Sequence, residues 1–209
     1  MPLERIIAAA VDIIDEQGAE ALSMRSLAQA LGSGTATLYR HFDSRAELVA
    51  AVVDVVLGDL VLEPVSGDGA SWREACENAA NALFALFTHH PNIAPLLIDQ
   101  IPSGPNAATG REYLIGALLK GGFSAADAAK TSATLSRFVL GFAIQAGGTH
   151  ANDGPSTPSP AIDANAYPHT AAVADHLPVP LPEEFSFGLT LLLDGLTGLA
   201  SPPQARRKK

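Results

Sequence analysis

Apolar residues recur at three- and four-residue intervals along most of the chain, and this spacing predicts an all-α protein. The first predicted helix, at about residues 3–17, has its apolar positions at Ile6, Ile7, Ala10, Val11 and Ile14. Gly18 follows it as a stop signal. The same pattern predicts further helices at about residues 24–31, 35–41, 44–61, 71–90, 93–100, 106–120, 124–146, 168–176 and 183–199.

Serine residues mark the starts of two of these helices. Ser44 with Glu47, and Ser71 with Glu74, have the spacing of a capping box, in which each side chain accepts a hydrogen bond from the other residue's backbone N–H. The helix that begins at Ser44 is predicted to contain about 17 residues, which at 1.5 Å per residue gives a length of roughly 25 Å. A helix of this length can connect two separate parts of the molecule.

Segments rich in Gly, Pro, Ser and Asp interrupt the helical pattern. One break covers residues 64–69, and residues 147–165 form a predicted mobile loop. Residues 201–209 form a basic tail that contains two prolines and is predicted to be disordered. We therefore expect an N-terminal domain at residues 1–62, a second domain at residues 63–200, and a disordered tail at residues 201–209.

Residues 23–42 contain two short predicted helices separated by a glycine turn. Leu27 and Leu31 have helical spacing on the first of them, and Gly32 stops it where a positive φ is required. Leu38 and Phe42 face inward on the second. This arrangement is typical of a helix-turn-helix, whose second helix enters the major groove of DNA.

Charge in this window favours contact with DNA over simple packing. No Asp or Glu lies between Ala21 and Phe42, whereas Arg25 and Arg40 do. A phosphate backbone would therefore meet no carboxylate there. The residues expected to contact DNA are Arg25, Thr35, Thr37, Tyr39, Arg40, His41 and Arg45.

These residues have different expected roles. Thr35 and Thr37 occupy positions at which helix-turn-helix proteins place base or phosphate contacts, and Arg40 can read guanine through two hydrogen bonds. Arg25 and Arg45 lie at the starts of two predicted helices and are expected to anchor phosphates.

The N-terminal part of the chain resembles the DNA-binding domain of the tetracycline-repressor (TetR) family of bacterial regulators. The segments that carry the resemblance are the first helix, Ala-Leu-Ser-Met-Arg-Ser-Leu-Ala at 21–28, Thr-Leu-Tyr-Arg-His-Phe at 37–42 and Ser-Arg-Ala-Glu-Leu at 44–48. Residues 167–169 and 185–196 resemble, more weakly, the regulatory core of the branch that contains the tetracycline repressor itself. The resemblance implies that Tyr39 and His41 form a phosphate-contacting pair.

The last predicted helix is apolar on more than one face. One stripe contains Phe185, Gly188, Leu189, Leu192, Gly195, Leu196 and Leu199. Phe187 and Leu191 lie outside this stripe, and the small residues Gly188 and Gly195 suit close packing against a second copy of the chain. The resemblance implies a two-fold dimer joined through the last long helices, in which two recognition helices about one DNA turn apart read a palindrome.

Aromatic residues on the predicted C-terminal helices are candidates for a ligand pocket. Core packing is the default interpretation of each residue. As a set they could line an apolar cavity with few polar groups, which is typical of small-molecule sites, and the resemblance also implies such a pocket. The candidates are Phe84, Phe87, Tyr113, Phe138, Phe142 and Gln145.

Composition agrees with a regulator that acts inside the cell. The chain has 209 residues, 47% of them apolar, and a net charge of −9, which argues against non-specific coating of nucleic acid. The lone Cys76 cannot form an intrachain disulfide and favours a reducing compartment. We see no signal peptide or membrane span and expect a cytoplasmic protein without membrane contact.

Other chemical interpretations are weaker. Residues 32–37 superficially resemble a phosphate-binding loop, but no strand precedes them and no Gly-Lys-Ser/Thr follows. His89 and His90 are adjacent on a helix, so they point in different directions, and no carboxylate or cysteine cluster completes a metal site. Ser, His and Asp residues at 149–159 lack a nucleophile-elbow motif. We expect no enzyme activity, cofactor or metal.

The sequence therefore predicts an all-α fold with an N-terminal three-helix DNA-binding domain and a C-terminal helical core for ligand binding and dimerisation. Its expected function is that of a homodimeric transcriptional repressor that binds a palindromic operator in double-stranded DNA and is released by a small apolar effector. The alternative is a helical ligand-binding or scaffolding dimer without specific DNA binding.

Overall fold

The computed structural model describes residues 1–62, 71–98, 101–148 and 163–200, which contain helices and turns but no strand. The helices are α1 (Leu3–Gln17), α2 (Met24–Ala30), α3 (Thr35–Leu38), α4 (Arg45–Gly58), α5 (Trp72–His89), α6 (Pro105–Lys120), α7 (Ala125–Gly147), α8 (Pro168–Ala172) and α9 (Leu181–Leu196). Short 3₁₀ turns lie at Ala19–Ala21, Ala94–Leu97, Ala174–His176 and Thr197–Leu199. The predicted all-α fold is confirmed. The break at 64–69, most of the loop predicted at 147–165 and the tail at 201–209 lie outside the described residues.

Several predicted helices are shorter in the structure. The helix expected at 168–176 is divided into α8 (Pro168–Ala172) and the 3₁₀ turn Ala174–His176. The recognition helix ends at Leu38, because the His41 N–H bonds the Leu38 carbonyl three residues back and tightens the chain into a turn. The connecting helix α4 ends at Gly58, a residue of low helix propensity. Of the helix expected at 93–100, the described residues form the 3₁₀ turn Ala94–Leu97, which contains Pro95, and residues 99 and 100 lie outside them.

The two predicted capping boxes form only in part. Ser44 Oγ accepts from the Glu47 N–H at 3.2 Å, but the Glu47 carboxylate accepts from the Asp43 N–H at 2.6 Å instead of from Ser44. Ser71 Oγ accepts from the Arg73 N–H, one residue earlier than predicted. In both cases the hydroxyl still satisfies one backbone donor at the start of its helix.

The first four helices, which we call the head, pack on the remaining five, which we call the body. Within the body, α5 packs against α6 and α7, and α7 packs against α9. Helix α4 contacts both α1 of the head and α6 of the body. The apolar core of the head continues into the body through Phe87, Ile93 and Ala143, whereas a second core lies wholly within the body. No helix of the described residues is long and apolar enough to span a membrane.

Helix α9 has one buried and one exposed apolar face. Phe185, Leu189 and Leu193 are buried at intervals of four residues, so the buried stripe is rotated toward Leu193 relative to the predicted one. Phe187 and Leu191 are 67% and 56% exposed, which confirms that they lie on another face. A second apolar face of this kind is available for contact outside the single chain.

Candidate DNA-binding surface

The helix-turn-helix is shaped by a cap, a glycine and two buried side chains. Ser23 and Ser26 form a complete capping box at the start of α2, with each side-chain oxygen accepting from the other residue's N–H. Gly32 has φ +61° in the turn, a conformation that favours glycine. Leu38 and Phe42 are buried, as predicted, and hold α3 and the turn after it against the head.

The candidate contact residues of this motif are mostly exposed. Thr35, Tyr39, Arg40 and His41 are exposed on α3 and the following turn, and Thr37 is half-buried. Tyr39 is 55% exposed, although an aromatic side chain of this size would be buried if its role were to pack in the core. These side chains are therefore available to a partner.

Two of the predicted cations are free to meet phosphate or bases. Arg25 and Arg40 are exposed, and within the described part of the chain neither guanidinium has an ion-pair or hydrogen-bond partner. No described residue therefore neutralises their charge.

Arg45 is placed differently from the other two arginines. Its Nε donates to the Leu22 carbonyl and its Nη2 to the Ala19 carbonyl, both at 2.7 Å. These bonds hold the start of α4 against the turn that precedes α2. The sequence predicts that Arg45 anchors a phosphate, but in the structure two of its N–H groups already donate to carbonyls of the head.

Asp54 joins α4 to the start of α6. It is 8% exposed, and its carboxylate accepts from the Ala107 N–H at 2.9 Å and from the Asn106 N–H at 3.3 Å. The Asn106 side chain donates back to the Asp54 carbonyl at 2.9 Å. Gly104 precedes α6 and provides no side-chain cap, so the carboxylate of α4 caps this helix from across the tertiary contact.

A second polar joint connects α1 to the end of α5. His90 Nδ1 lies 2.7 Å from Asp15 Oδ2, and the Asn92 side chain donates to the Ile14 and Asp15 carbonyls at 2.9 and 3.1 Å. The other carboxylate oxygen of Asp15 is buried without a partner among the described residues. Polar contacts therefore fix the head to the body at two separate places, in addition to the apolar core that head and body share.

The predicted ligand-binding aromatics assemble around a residue that the sequence analysis placed elsewhere. Phe185 of α9 stacks on Phe84 at 4.2 Å between ring centroids and lies 5.4 Å from Phe138 and 5.5 Å from Phe142. Phe185 itself is buried, whereas the other three rings are half-buried. Phe84, Phe138 and Phe142 therefore form a partly accessible ring cluster around Phe185.

The remaining three candidates are distributed differently. Phe87 is 1% exposed and belongs to the core that continues from the head, so the structure separates it from the ring cluster. Tyr113 packs against the core of the body, and Gln145 is exposed near the end of α7.

Two surface cavities lie away from these residues. The larger, of about 220 Å³, is lined by Asp127, Lys130, Thr131, Thr134, Leu135, Leu192, Leu196 and Leu199. The smaller, of about 60 Å³, lies between the end of α4 and α6. Neither is lined by a predicted ligand-binding residue. Within the described ranges no group of three or more His, Cys, Asp or Glu side chains could hold a metal ion.

Sequence reasoning missed the residues that join the head to the body. Asp54 is the one carboxylate within the otherwise apolar run of residues 48–57, and this position could have indicated a buried acid. Asn92 follows the proline that ends α5, where only the three-dimensional contact shows its role.

Two family models match the chain and together cover most of it. Residues 6–52 match the model described as bacterial regulatory proteins, tetR family. Residues 63–199 match the model described as tetracyclin repressor-like, C-terminal domain.

Curated relatives are regulators of transcription. An HTH-type transcriptional regulator from Saccharopolyspora erythraea is 33% identical over 138 residues, which are 66% of this chain, and the match spans 58% of that relative's length. The HTH-type transcriptional repressor DrrR1 from Streptomyces coeruleorubidus is 29% identical over 96% of this chain and 79% of its own.

A solved structure has a closely similar fold. The TetR family protein ActR from Streptomyces coelicolor, in a crystal structure with actinorhodin, superposes with a TM-score of 0.83 at 29% identity over 97% of this chain and 99% of that one. The match of the C-terminal family model alone covers more than half of the chain. With its exposed helix-turn-helix and its helical body, the chain belongs to the TetR family of bacterial transcriptional regulators.

Proposed function

We propose that the chain is a cytoplasmic transcriptional repressor that binds a palindromic operator as a homodimer and is released by a small apolar effector, without catalysing a reaction. The observation that carries the proposal is the exposed, acid-free surface of α2, α3 and the following turn, where Arg25 and Arg40 have no partner among the described residues. In this proposal residues 1–62 act as the DNA-binding domain and residues 63–200 as the ligand-binding and dimerisation domain.

We assign the base and phosphate contacts from the hydrogen-bonding groups and charge of each side chain. Arg40, Thr35 and Thr37 contact bases or nearby phosphates, whereas Tyr39 and His41 contact phosphates. Arg25 anchors a phosphate, and Arg45 adds a phosphate contact through the donors that the Leu22 and Ala19 carbonyls leave free.

Dimerisation is supported by the exposed face of α9. Phe187 and Leu191 would remain in water on a single chain, and a two-fold packing of α9 helices would bury them. A two-fold dimer places two recognition helices about 34–36 Å apart, the spacing of successive major grooves on one side of DNA.

Effector binding is proposed at the half-buried rings around Phe185. The rings themselves favour an aromatic, largely apolar molecule, which is the class of ligand that we propose for this chain. The related ActR has been crystallised with actinorhodin. Phe84, Phe138 and Phe142 offer ring faces and edges to such a molecule, and Tyr113 and Gln145 are the further residues of the proposed pocket. Phe87 is buried in the core that continues from the head and is not part of this proposal.

The test uses the full-length protein and DNA that it selects from a random pool. We expect selection of a palindrome, bound with a specificity ratio of at least about 10³ over unrelated DNA. Actinorhodin then serves as the probe in a titration of the protein–DNA complex. Binding without sequence preference would overturn the repressor assignment and favour the ligand-binding or scaffolding dimer.

A further inference from the structure

The joint between Asp54 and the start of α6 determines more than local stability. Helix α6 begins at Pro105, and its first free N–H groups at Asn106 and Ala107 point at a carboxylate that belongs to the head. A helix normally obtains this cap from its own N-cap residue, but here that residue is Gly104. The start of α6 is therefore satisfied only while α4 keeps its position.

The fit at this joint is close on both sides. A Cβ atom placed on Gly104 would overlap the carboxyl group of Asp54. The Asn106 side chain closes the joint from the other direction by donating to the Asp54 carbonyl at 2.9 Å. Small rotations of α4 would break these contacts, since hydrogen bonds weaken steeply with distance and angle.

Helix α4 acts as a rigid arm between this joint and the DNA-binding surface. At its other end Arg45 is bonded to the Leu22 and Ala19 carbonyls next to α2, and Leu48 and Val52 are buried in the head core. Asp54 lies nine helical steps of 1.5 Å after Arg45, so the two positions are roughly 13 Å apart. A rotation of about 15° at Asp54 thus displaces the start of α4 by roughly 3.5 Å, close to the 3.4 Å rise of one base pair.

The second joint holds the head to the body at another point. Asn92 and His90 hold the last turn of α1 to the body, at a place far along the chain from Asp54. With the Asp54 joint open, the α1 joint and the shared apolar core at Phe87, Ile93 and Ala143 still hold the head, but no polar contact fixes the angle of α4 against the start of α6. With both joints closed its angle is fixed.

We propose that Asp54 is a positioning residue that sets the spacing of operator half-sites which the dimer accepts, by fixing the angle of the head through its cap on α6. Asp54 makes no contact with DNA in this proposal. The inference rests on the proposed function, because it requires a dimer that reads two half-sites. It concerns which operator is selected in the absence of an effector.

The experiment measures discrimination between operator spacings. The wild-type protein first selects its operator from random DNA, and the affinity of each variant is then measured for that operator and for versions with one base pair added or removed between half-sites. Asp54→Asn replaces one acceptor oxygen with a donor, and Gly104→Ala displaces the carboxylate from the opposite side. Asp59→Asn, which removes an exposed carboxylate just after the same helix, is the matched control.

We expect the ratio of affinities between the selected and the altered spacings to fall about fivefold or more in Asp54→Asn and Gly104→Ala and to stay at the wild-type value in Asp59→Asn. A role in folding alone would lower the affinity for all spacings equally and leave the ratio unchanged. Hydrogen exchange at the Ala107 amide should become faster in both joint variants, and this measurement needs no DNA.

The possible failures can be distinguished. If the wild-type protein selects no two-part operator, the proposed function is wrong and this inference falls with it. If the wild-type protein discriminates between spacings and both joint variants keep the wild-type ratio, only the role of Asp54 is overturned. Unchanged exchange at Ala107 in both variants, or an equal loss of discrimination in Asp59→Asn, also contradicts it. If either Asp54→Asn or Gly104→Ala does not fold, the affinity ratio of the other variant alone decides whether Asp54 has the proposed role.

Discussion

The ring of Phe84 stacks on the ring of Phe185 at 4.2 Å between centroids and 12° between planes, and this contact joins α5 to α9. Two more aromatic rings, Phe138 and Phe142 of α7, contact Phe185 from other sides. One buried side chain thus connects three helices of the body. Helix α9 also carries the exposed face proposed for dimerisation.

Replacing Phe185 by Ala should lower the free energy of unfolding by about 3–5 kcal/mol, because it removes a buried ring and leaves a cavity among three others. Urea denaturation followed by circular dichroism measures this loss. The control is Ser186→Ala, at an exposed position beside it on the same helix, for which we expect a change within about 0.5 kcal/mol. Equal effects of the two substitutions would contradict the central position of Phe185.

Replacing Arg40 by Ala should weaken operator binding by about 1–3 kcal/mol while the fold and the dimer remain intact. The physical reason is that Arg40 is an exposed cation without a partner among the described residues. Titration of labelled operator at fixed salt measures the loss. Arg137→Ala removes an exposed arginine from α7 and should leave the affinity unchanged.

Arg45 can be tested for two roles at once. Arg45→Lys should lower the free energy of unfolding by about 1 kcal/mol, because a single ammonium group does not reproduce the planar fork that reaches both Leu22 and Ala19. If Arg45 also contacts phosphate, Arg45→Ala should reduce the slope of log affinity against log salt by about 1. An unchanged slope would restrict Arg45 to its role within the head.

Replacing Leu191 by Asp should convert the dimer to monomers, since the side chain is exposed on the single chain and its new charge would be buried only in the interface. Sedimentation velocity at micromolar concentration measures the change. Leu119→Asp, at an exposed apolar position of α6, is the control that should remain dimeric. Dimers that persist in Leu191→Asp would contradict the role of this face.

The ionisation of the Cys76 thiol should affect stability only at alkaline pH. Burial, with a smaller contribution from the Glu77 carboxylate, raises the pKa of Cys76 from 9.0 to about 12. Between these values the unfolded chain loses the thiol proton and the native chain keeps it, so the native state is progressively destabilised as the pH rises. The free energy of unfolding should therefore fall more steeply above pH 9 in the wild type than in Cys76→Ala. Parallel curves for the two proteins would contradict the raised pKa.

Local features of the fold were predictable from the sequence, whereas contacts between distant segments were not. The end of α1 at Gly18 and the burial of Leu38 and Phe42 follow from spacing and glycine chemistry within a few residues. Asp54 binds N–H groups more than fifty positions further along the chain, which no local pattern encodes.

The same distinction applies to the candidate site. The exposure of Tyr39 and Arg40 could be predicted, since it depends on one short helical turn. Arg45 was recognisable as a cation, but its two carbonyl partners were not. Phe84 and Phe87 are neighbours on one helix, yet the packing of α5 between head and body places only Phe84 against the rings around Phe185.

The two joints determine how this regulator can be re-engineered. A hybrid that exchanges heads between family members could be cut between α4 and α5. The transplanted head would then need its own acid at the position of Asp54, and an α1 whose last turn accepts Asn92 and His90. A donor head lacking these groups would leave the N–H groups of α6 uncapped. Biosensors built from this protein should therefore exchange only the residues of α2, α3 and the turn between them. The operator specificity then changes while both joints between head and body remain intact.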